Sequence, residues 1–148
     1  PHFSYHVGGS YRTASARDVT LETDTWHHVA GVYDGSEVRI YVDGELRARA
    51  DAPSGKRQRS DLPFIIGADV NRNGQPTSHF DGVIDAVRLS SMARYLGESF
   101  EPQWRFADDA ETVLLLNMDG TVGPWLYEES SSGAHGTIVT PVSLVPAE

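Results

Sequence analysis

Apolar positions in this chain recur at every second residue, and no stretch of useful length carries a 3.6-residue stripe. Phe3, Tyr5 and Val7 alternate with polar neighbours, Gly8-Gly9 offers a tight turn, and Tyr11 to Ala16 leads back. Val19 and Leu21 run into a break at Thr23-Asp24. Trp26 to Tyr33 (WHHVAGVY) is strand-like, Asp34-Gly35-Ser36 turns, and Val38, Ile40 and Val42 resume the alternation. Asp43-Gly44 is the strongest short hairpin signal, because a type I′ turn needs positive φ at both central residues. Leu46 to Ala50 then returns beside it.

The second half is punctuated more often. Residues 51–63 (DAPSGKRQRSDLP) read as an exposed loop, Phe64-Ile65-Ile66-Gly67 as a short buried strand, and 71–78 as another loop. Phe80 to Leu89 predicts a strand, Ser91 to Tyr95 a helical turn, and 97–110 a connector. Thr112 to Met118 predicts a strongly apolar strand, Asp119-Gly120 a turn, 128–136 (EESSSGAHG) a loop, and 137–145 a last strand broken at Pro141. Many short strands separated by Gly, Pro and Asp predict an all-β antiparallel sandwich. Its expected core is Trp26, Val29 or His28, Val38, Ile40, Val42, Ile65, Ile84, Val87, Leu114 and Leu116, to within one residue of register.

Composition narrows the partners. At 148 residues the chain is sized for one domain with a real core. No apolar run approaches the roughly 18 residues of a membrane span. A net charge of −9 and a pI of 5.0 argue against nucleic acid or an anionic membrane as partner, since both need a basic surface. With no cysteine there is neither disulfide nor thiol chemistry. The chain opens at Pro1 without an initiator Met or a signal-like segment, and so reads as a piece of a longer polypeptide.

Each polar cluster has a plain reading beside a sharper one. Trp26, at a strand start, reads as a core cap rather than a sugar platform. His27 and His28 are adjacent, point to opposite faces and cannot share a metal; no partner is visible that would make either a base. Lys56, Arg57 and Arg59 read as a solvated loop, with an anionic polysaccharide as the alternative. Asp69, Asn71, Asn73 and Gly74 imitate the start of a calcium loop. Residue 80, where such a loop needs a bidentate Glu, is Phe, so an Asx turn is the better reading. A retaining glycosidase needs two carboxylates about 5–5.5 Å apart across the scissile bond. No E-x-D-x-E run exists, and the G-x-S-x-G elbow is absent too.

The order TWHHVAGVYDGSEVRIYVDGELRA, PFIIGAD and FDGVIDAVRLSSMARY resembles the second half of a laminin-G-like domain of the concanavalin A-like lectin/glucanase kind, over roughly residues 19–95. ETVLLLNMDG followed by EESSSGAHGTI resembles the opening of the same family. The resemblance implies a jelly-roll sandwich whose opening motif follows its closing motif. Residues 1–96 would be the closing part, 97–110 the connector and 111–148 the opening-like segment, in a single domain over 1–148. Such an order arises by circular permutation, or by truncation at the N-terminus in a tandem array. The first is the expectation here, with Thr112–Met118 pairing antiparallel with Gly82–Leu89, because Leu114 and Leu116 could not be buried by a lone stub.

Together with the missing carboxylate run, the resemblance implies a non-catalytic extracellular or cell-surface binding module, for carbohydrate or adhesion, whose partner is a glycan or an extracellular protein. A structural spacer or protein-interaction domain is the alternative, and a glycoside hydrolase the least supported role. In that family an acidic strand residue helps hold a structural calcium ion with the opening loop. Here the set would be Asp85 with Asp119 and Glu128, against the plain reading of Asp85 as solvated or paired with an Arg such as Arg88. Aromatics outside the strongest core strands, namely Tyr5, Tyr11, Trp104, Trp125 and Tyr127, are the candidate sugar platforms if exposed; Tyr5, Tyr11, Trp125 and Tyr127 are the expected ligand residues.

Overall fold

The computed structural model describes residues 1–55, 60–122, 125–133 and 136–139. Every regular element among them is a strand, all pairings are antiparallel, and the chain divides into two compact units. The Lys56, Arg57 and Arg59 loop lies outside the described residues, as does the last expected strand from residue 140 onward.

The first unit comprises Pro1–Arg59 and Met92–Trp104. Its strands are β1 (His2–Val7), β2 (Ser10–Ser15), β3 (Val29–Tyr33), β4 (Glu37–Val42) and β5 (Glu45–Asp51). β1 and β2 form the hairpin expected around Gly8-Gly9, with Val7 opposite Ser10. β3, β4 and β5 form a second sheet in that order. The two sheets pack face to face, because the alternation in β1, β2 and β4 puts Val7, Ala14, Val38 and Ile40 on facing sides. Ala16 and Ala52 complete this cluster, and Phe3, Tyr5 and Tyr33 lie against it. Gly31 is required here: a Cβ at that position would run into the Phe3 ring.

The opposite side of the β3–β5 sheet is covered by residues 92–104. Tyr41, fully buried on that side, donates its hydroxyl to the carbonyls of Tyr95 and Gly97 at 3.2 and 2.8 Å. Phe100 stacks on Tyr95 with ring centroids 3.6 Å apart, and His28 meets both rings edge-on. A register shift between Ile40 and Tyr41 marks a bulge, after which Val42 is buried as well.

Trp26 does not cap the core: it is 56% exposed, and His28, at 8%, takes the buried place. The ladder begins only at Val29, so the two-residue alternation does not extend back to Trp26.

The second unit comprises Ser60–Ser91 and Arg105–Glu148. Its strands are β6 (Asp69–Val70), β7 (Pro76–Thr77), β8 (Val87–Ser90), β9 (Thr112–Leu116), β10 (Thr121–Val122), β11 (Trp125–Leu126) and β12 (Gly136–Thr137). The pairing expected across the connector is present: β8 runs antiparallel to β9, with Val87 opposite Leu116 and Leu89 opposite Leu114. Leu115 and Leu116, adjacent and on opposite faces, are both buried, as a nearly continuous apolar run implies. Leu114, expected in the core, is only half-buried, and the core place belongs to Leu115.

Two expected strands are not formed as read. Phe64–Gly67 makes no ladder, Phe64 is exposed, and Ile65 is half-buried. Phe80–Leu89 becomes a strand only from Val87, leaving Ile84 half-buried outside it. Positive φ at Gly67 and Ser78 interrupts the extended backbone on either side, and the Phe80 N–H donates to the Gly67 carbonyl at 2.8 Å between the two stretches. Between them, β6 and β7 flank the D-x-N-x-N-G run. There Asn71 Oδ1 accepts the N–H groups of Asn73 and Gln75 at 2.9 and 3.0 Å, the Asx turn expected from the sequence.

Candidate functional site

Two turns of the first unit, at Asp34 and Asp43, are built by their own aspartates. Asp34 Oδ1 accepts the N–H groups of Ser36 and Glu37, both at 2.8 Å, and its other oxygen pairs with Arg39 at 2.7 Å. Asp43 and Gly44 have φ of 54° and 80°, as the type I′ hairpin needs. Asp43 does more than turn the chain. Its Oδ2 lies 2.8 Å from His27 Nδ1, and its Oδ1 accepts the His28 N–H at 2.9 Å. His27 Nε2 reaches the Glu22 carbonyl at 3.2 Å. The hydrogen bond and charge of Asp43 raise the His27 pKa above its ordinary 6.5. Burial pushes the Asp43 carboxyl up, but His27 and the His28 N–H outweigh it and hold the group below 3.8. The carboxylate partner of His27 was not visible in the sequence, because sixteen residues separate the two.

The expected ligand residues fall on both units. Tyr5 faces inward and stacks on Tyr33, with centroids 4.6 Å apart, so it is not an open platform. Tyr11, on the outer side of the same hairpin, is 70% exposed and meets His6 edge-on at 4.8 Å. Beside them on that outer side Ser4 and Thr13 share a hydroxyl hydrogen bond at 2.8 Å. Trp104 is exposed as well.

In the second unit Trp125 and Tyr127 are 47% and 59% exposed, with Leu126 half-buried between them. The residue that sets this alternation is Glu128, which is buried. Its Oε1 accepts the Leu115 N–H at 2.7 Å and the Ser130 N–H at 2.9 Å, while Ser132 Oγ donates to Oε2 at 3.3 Å. The Glu129 N–H donates to the Leu115 carbonyl at 2.8 Å, so both backbone groups of Leu115 are tied to this segment. The segment is therefore fastened to β9 at Leu115 through Glu128, three residues after Trp125 and next to Tyr127. Burial raises the Glu128 pKa, but its hydrogen-bond donors prevail and hold it below the ordinary 4.5.

These contacts also test the implied calcium ligands. Glu128 gives its oxygens to backbone and hydroxyl donors, Asp119 forms an ion pair with Arg105, and Asp85 is exposed. Among the described residues no group of three His, Cys, Asp or Glu is placed to hold a metal ion. In this arrangement Asp85, Asp119 and Glu128 are not gathered into one ligand set. Sequence reading missed Arg105 and Asn117, the two side chains that organise this corner. The signal was an Asn inside an apolar strand, where a buried amide must find partners.

No curated protein and no solved structure matches this chain. The family model Laminin_G_3, described as the Concanavalin A-like lectin/glucanases superfamily, matches residues 1–98. The match takes in the whole run of closing motifs and ends before the opening-like segment at 111–148. With two thirds of its length under that model and an antiparallel sandwich built on those residues, the chain belongs to the concanavalin A-like lectin/glucanase superfamily.

Proposed function

We propose that this domain is a non-catalytic binding module of an extracellular protein, and that its ligand is a glycan. The observation that carries the reading is the Trp125–Tyr127 pair. Two aromatic rings stand exposed two residues apart, and the buried Glu128 clamp beside them fixes the backbone that presents them. Rings held this way offer apolar faces to a sugar at little cost in side-chain ordering. A non-catalytic role is favoured by the lack of an E-x-D-x-E run on any strand.

The test is a glycan-array screen of the whole chain beside the double variant W125A/Y127A. Binding to a defined set of saccharides by the parent, lost in a variant of unchanged melting temperature, is the expected result. No bound saccharide would overturn the ligand class in favour of a protein-interaction or spacer role. Turnover of a β-glucan, abolished by replacing one Glu, would overturn the non-catalytic reading.

A further inference from the structure

Around the turn that follows β9, two carboxylates face one cation. The Arg105 guanidinium forms an ion pair with Asp119 through Nη1 and approaches Glu129 Oε2 through Nη2 at 3.9 Å. Asp119 by its hydrogen bond and charge, then Glu129 and Asp85 by charge, raise the Arg105 pKa further.

An isolated ion pair this exposed would contribute little. Here the partners are pre-positioned by the buried side chain of Asn117. Its Oδ1 accepts the Phe106 N–H at 3.2 Å, and its Nδ2 donates to the Phe106 carbonyl and to Glu129 Oε2, both at 3.1 Å. One amide thus fixes the backbone next to the cation and one of the carboxylates facing it. The Arg88 guanidinium lies over the Phe106 ring, 4.4 Å from its centroid. In a chain with 12 Lys and Arg against 21 Asp and Glu, a guanidinium held among carboxylates relieves a local excess of negative charge.

Calcium takes six to eight oxygen ligands at about 2.3–2.6 Å. At this corner a calcium ion would have to displace the guanidinium from Asp119 and withdraw Glu128 from the donors that hold it. We propose that Arg105 is the resident cation of this corner. Its guanidinium takes the electrostatic place of a structural metal ion, so that the fold needs no divalent cation at this corner. The inference stands apart from the ligand reading above, because none of its residues is an exposed aromatic.

Thermal melts of the whole chain in EDTA and in millimolar calcium chloride, for the parent, R105Q and R105Q/D119N, test this. The parent is expected to melt at the same temperature in both. R105Q is expected to melt about 2–4 °C lower in both, and the double variant R105Q/D119N is expected to melt little lower than R105Q, because the pair is already broken. A parent whose melting temperature falls in EDTA and returns with calcium would overturn the proposal, as would an R105Q protein that melts with the parent. Should R105Q not fold, D119N, which retains Arg105, is melted across a sodium chloride series. A weaker salt dependence than the parent's supports the pairing, and an identical one overturns it.

Discussion

The Nδ1 atom of His27 lies 2.8 Å from one oxygen of Asp43, while the other oxygen of that carboxylate accepts the His28 N–H at 2.9 Å. The Asp43 N–H returns a bond to the His28 carbonyl at 2.8 Å. The residue that makes the hairpin turn between β4 and β5 thereby also holds the chain entering β3. Since β3 pairs with β4 from Val29 opposite Val42, the clamp sets the register of the sheet at its end.

His27 sits between two acceptors, a carboxylate and the Glu22 carbonyl, and only the imidazolium can donate to both. With its folded-state pKa raised, its contribution is complete below pH 6.5 and is lost as pH rises through the folded value. Asp43 is lowered, so its contribution is complete above pH 3.8 and is lost as pH falls through the folded value. The clamp is strongest between these two ordinary values. An NMR titration of the His27 ring should give a midpoint above 6.5 in the parent and a lower one in D43N. A parent midpoint at or below 6.5 would show that Asp43 does not hold the proton there.

Burial separates core from surface positions that look alike in sequence. Ile40→Ala and Leu115→Ala, each at 1% exposure, should cost about 2–5 kcal/mol in denaturant unfolding. Leu114→Ala, at a half-buried position, should cost less than Leu115→Ala. Trp26→Ala, for all its size, should stay within about half a kcal/mol. Equal losses at Leu114 and Leu115 would mean that β9 is not buried as described.

Gly44 combines a φ of 80° with a close approach: a Cβ there would run into the Phe100 carbonyl oxygen. The Phe100 N–H donates to the Gly44 carbonyl at 2.8 Å, so the covering segment is fastened at this turn. Gly44→Ala should cost at least about 1–3 kcal/mol and increase amide exchange at Phe100. Gly9→Ala meets no neighbouring atom and serves as the control for backbone strain alone.

Glu128→Gln tests the strap along β9. An amide can present only one acceptor atom, while the carboxylate serves donors through both oxygens. A loss of about 1–3 kcal/mol is expected for the unsatisfied donors. Because the folded-state pKa of Glu128 is lowered, its contribution is present above pH 4.5 and is lost as pH falls through the folded value. Acid unfolding of the parent and of E128Q should therefore converge at low pH. A constant difference in stability across the acid range would place the effect of the substitution elsewhere.

By itself the sequence determined what is local or periodic. The alternation of Phe3, Tyr5 and Val7, and of Val38 and Ile40, predicted strands that form, since a period of two sends these residues to one face. Asp43-Gly44 and Asp34-Gly35 predicted turns that form, because positive φ and a short carboxylate side chain act within a few residues. The ordered WHHV, YVDG, IIG and IDAVR motifs located the family. Tertiary structure decided what depends on partners distant along the chain. Phe64–Gly67 and the start of Phe80–Leu89 have strand composition but no ladder, because a strand exists only where another segment supplies donors and acceptors. Leu115 and Leu116, and not Leu114, are the buried leucines of β9, because burial depends on what lies against each face and an apolar run carries no phase of its own. The carboxylate that holds His27, the buried turn inward of Glu128 and the meeting of Asp119 and Glu129 at Arg105 all join residues far apart in sequence. Their chemistry is set by distance in space, which spacing along the chain does not encode.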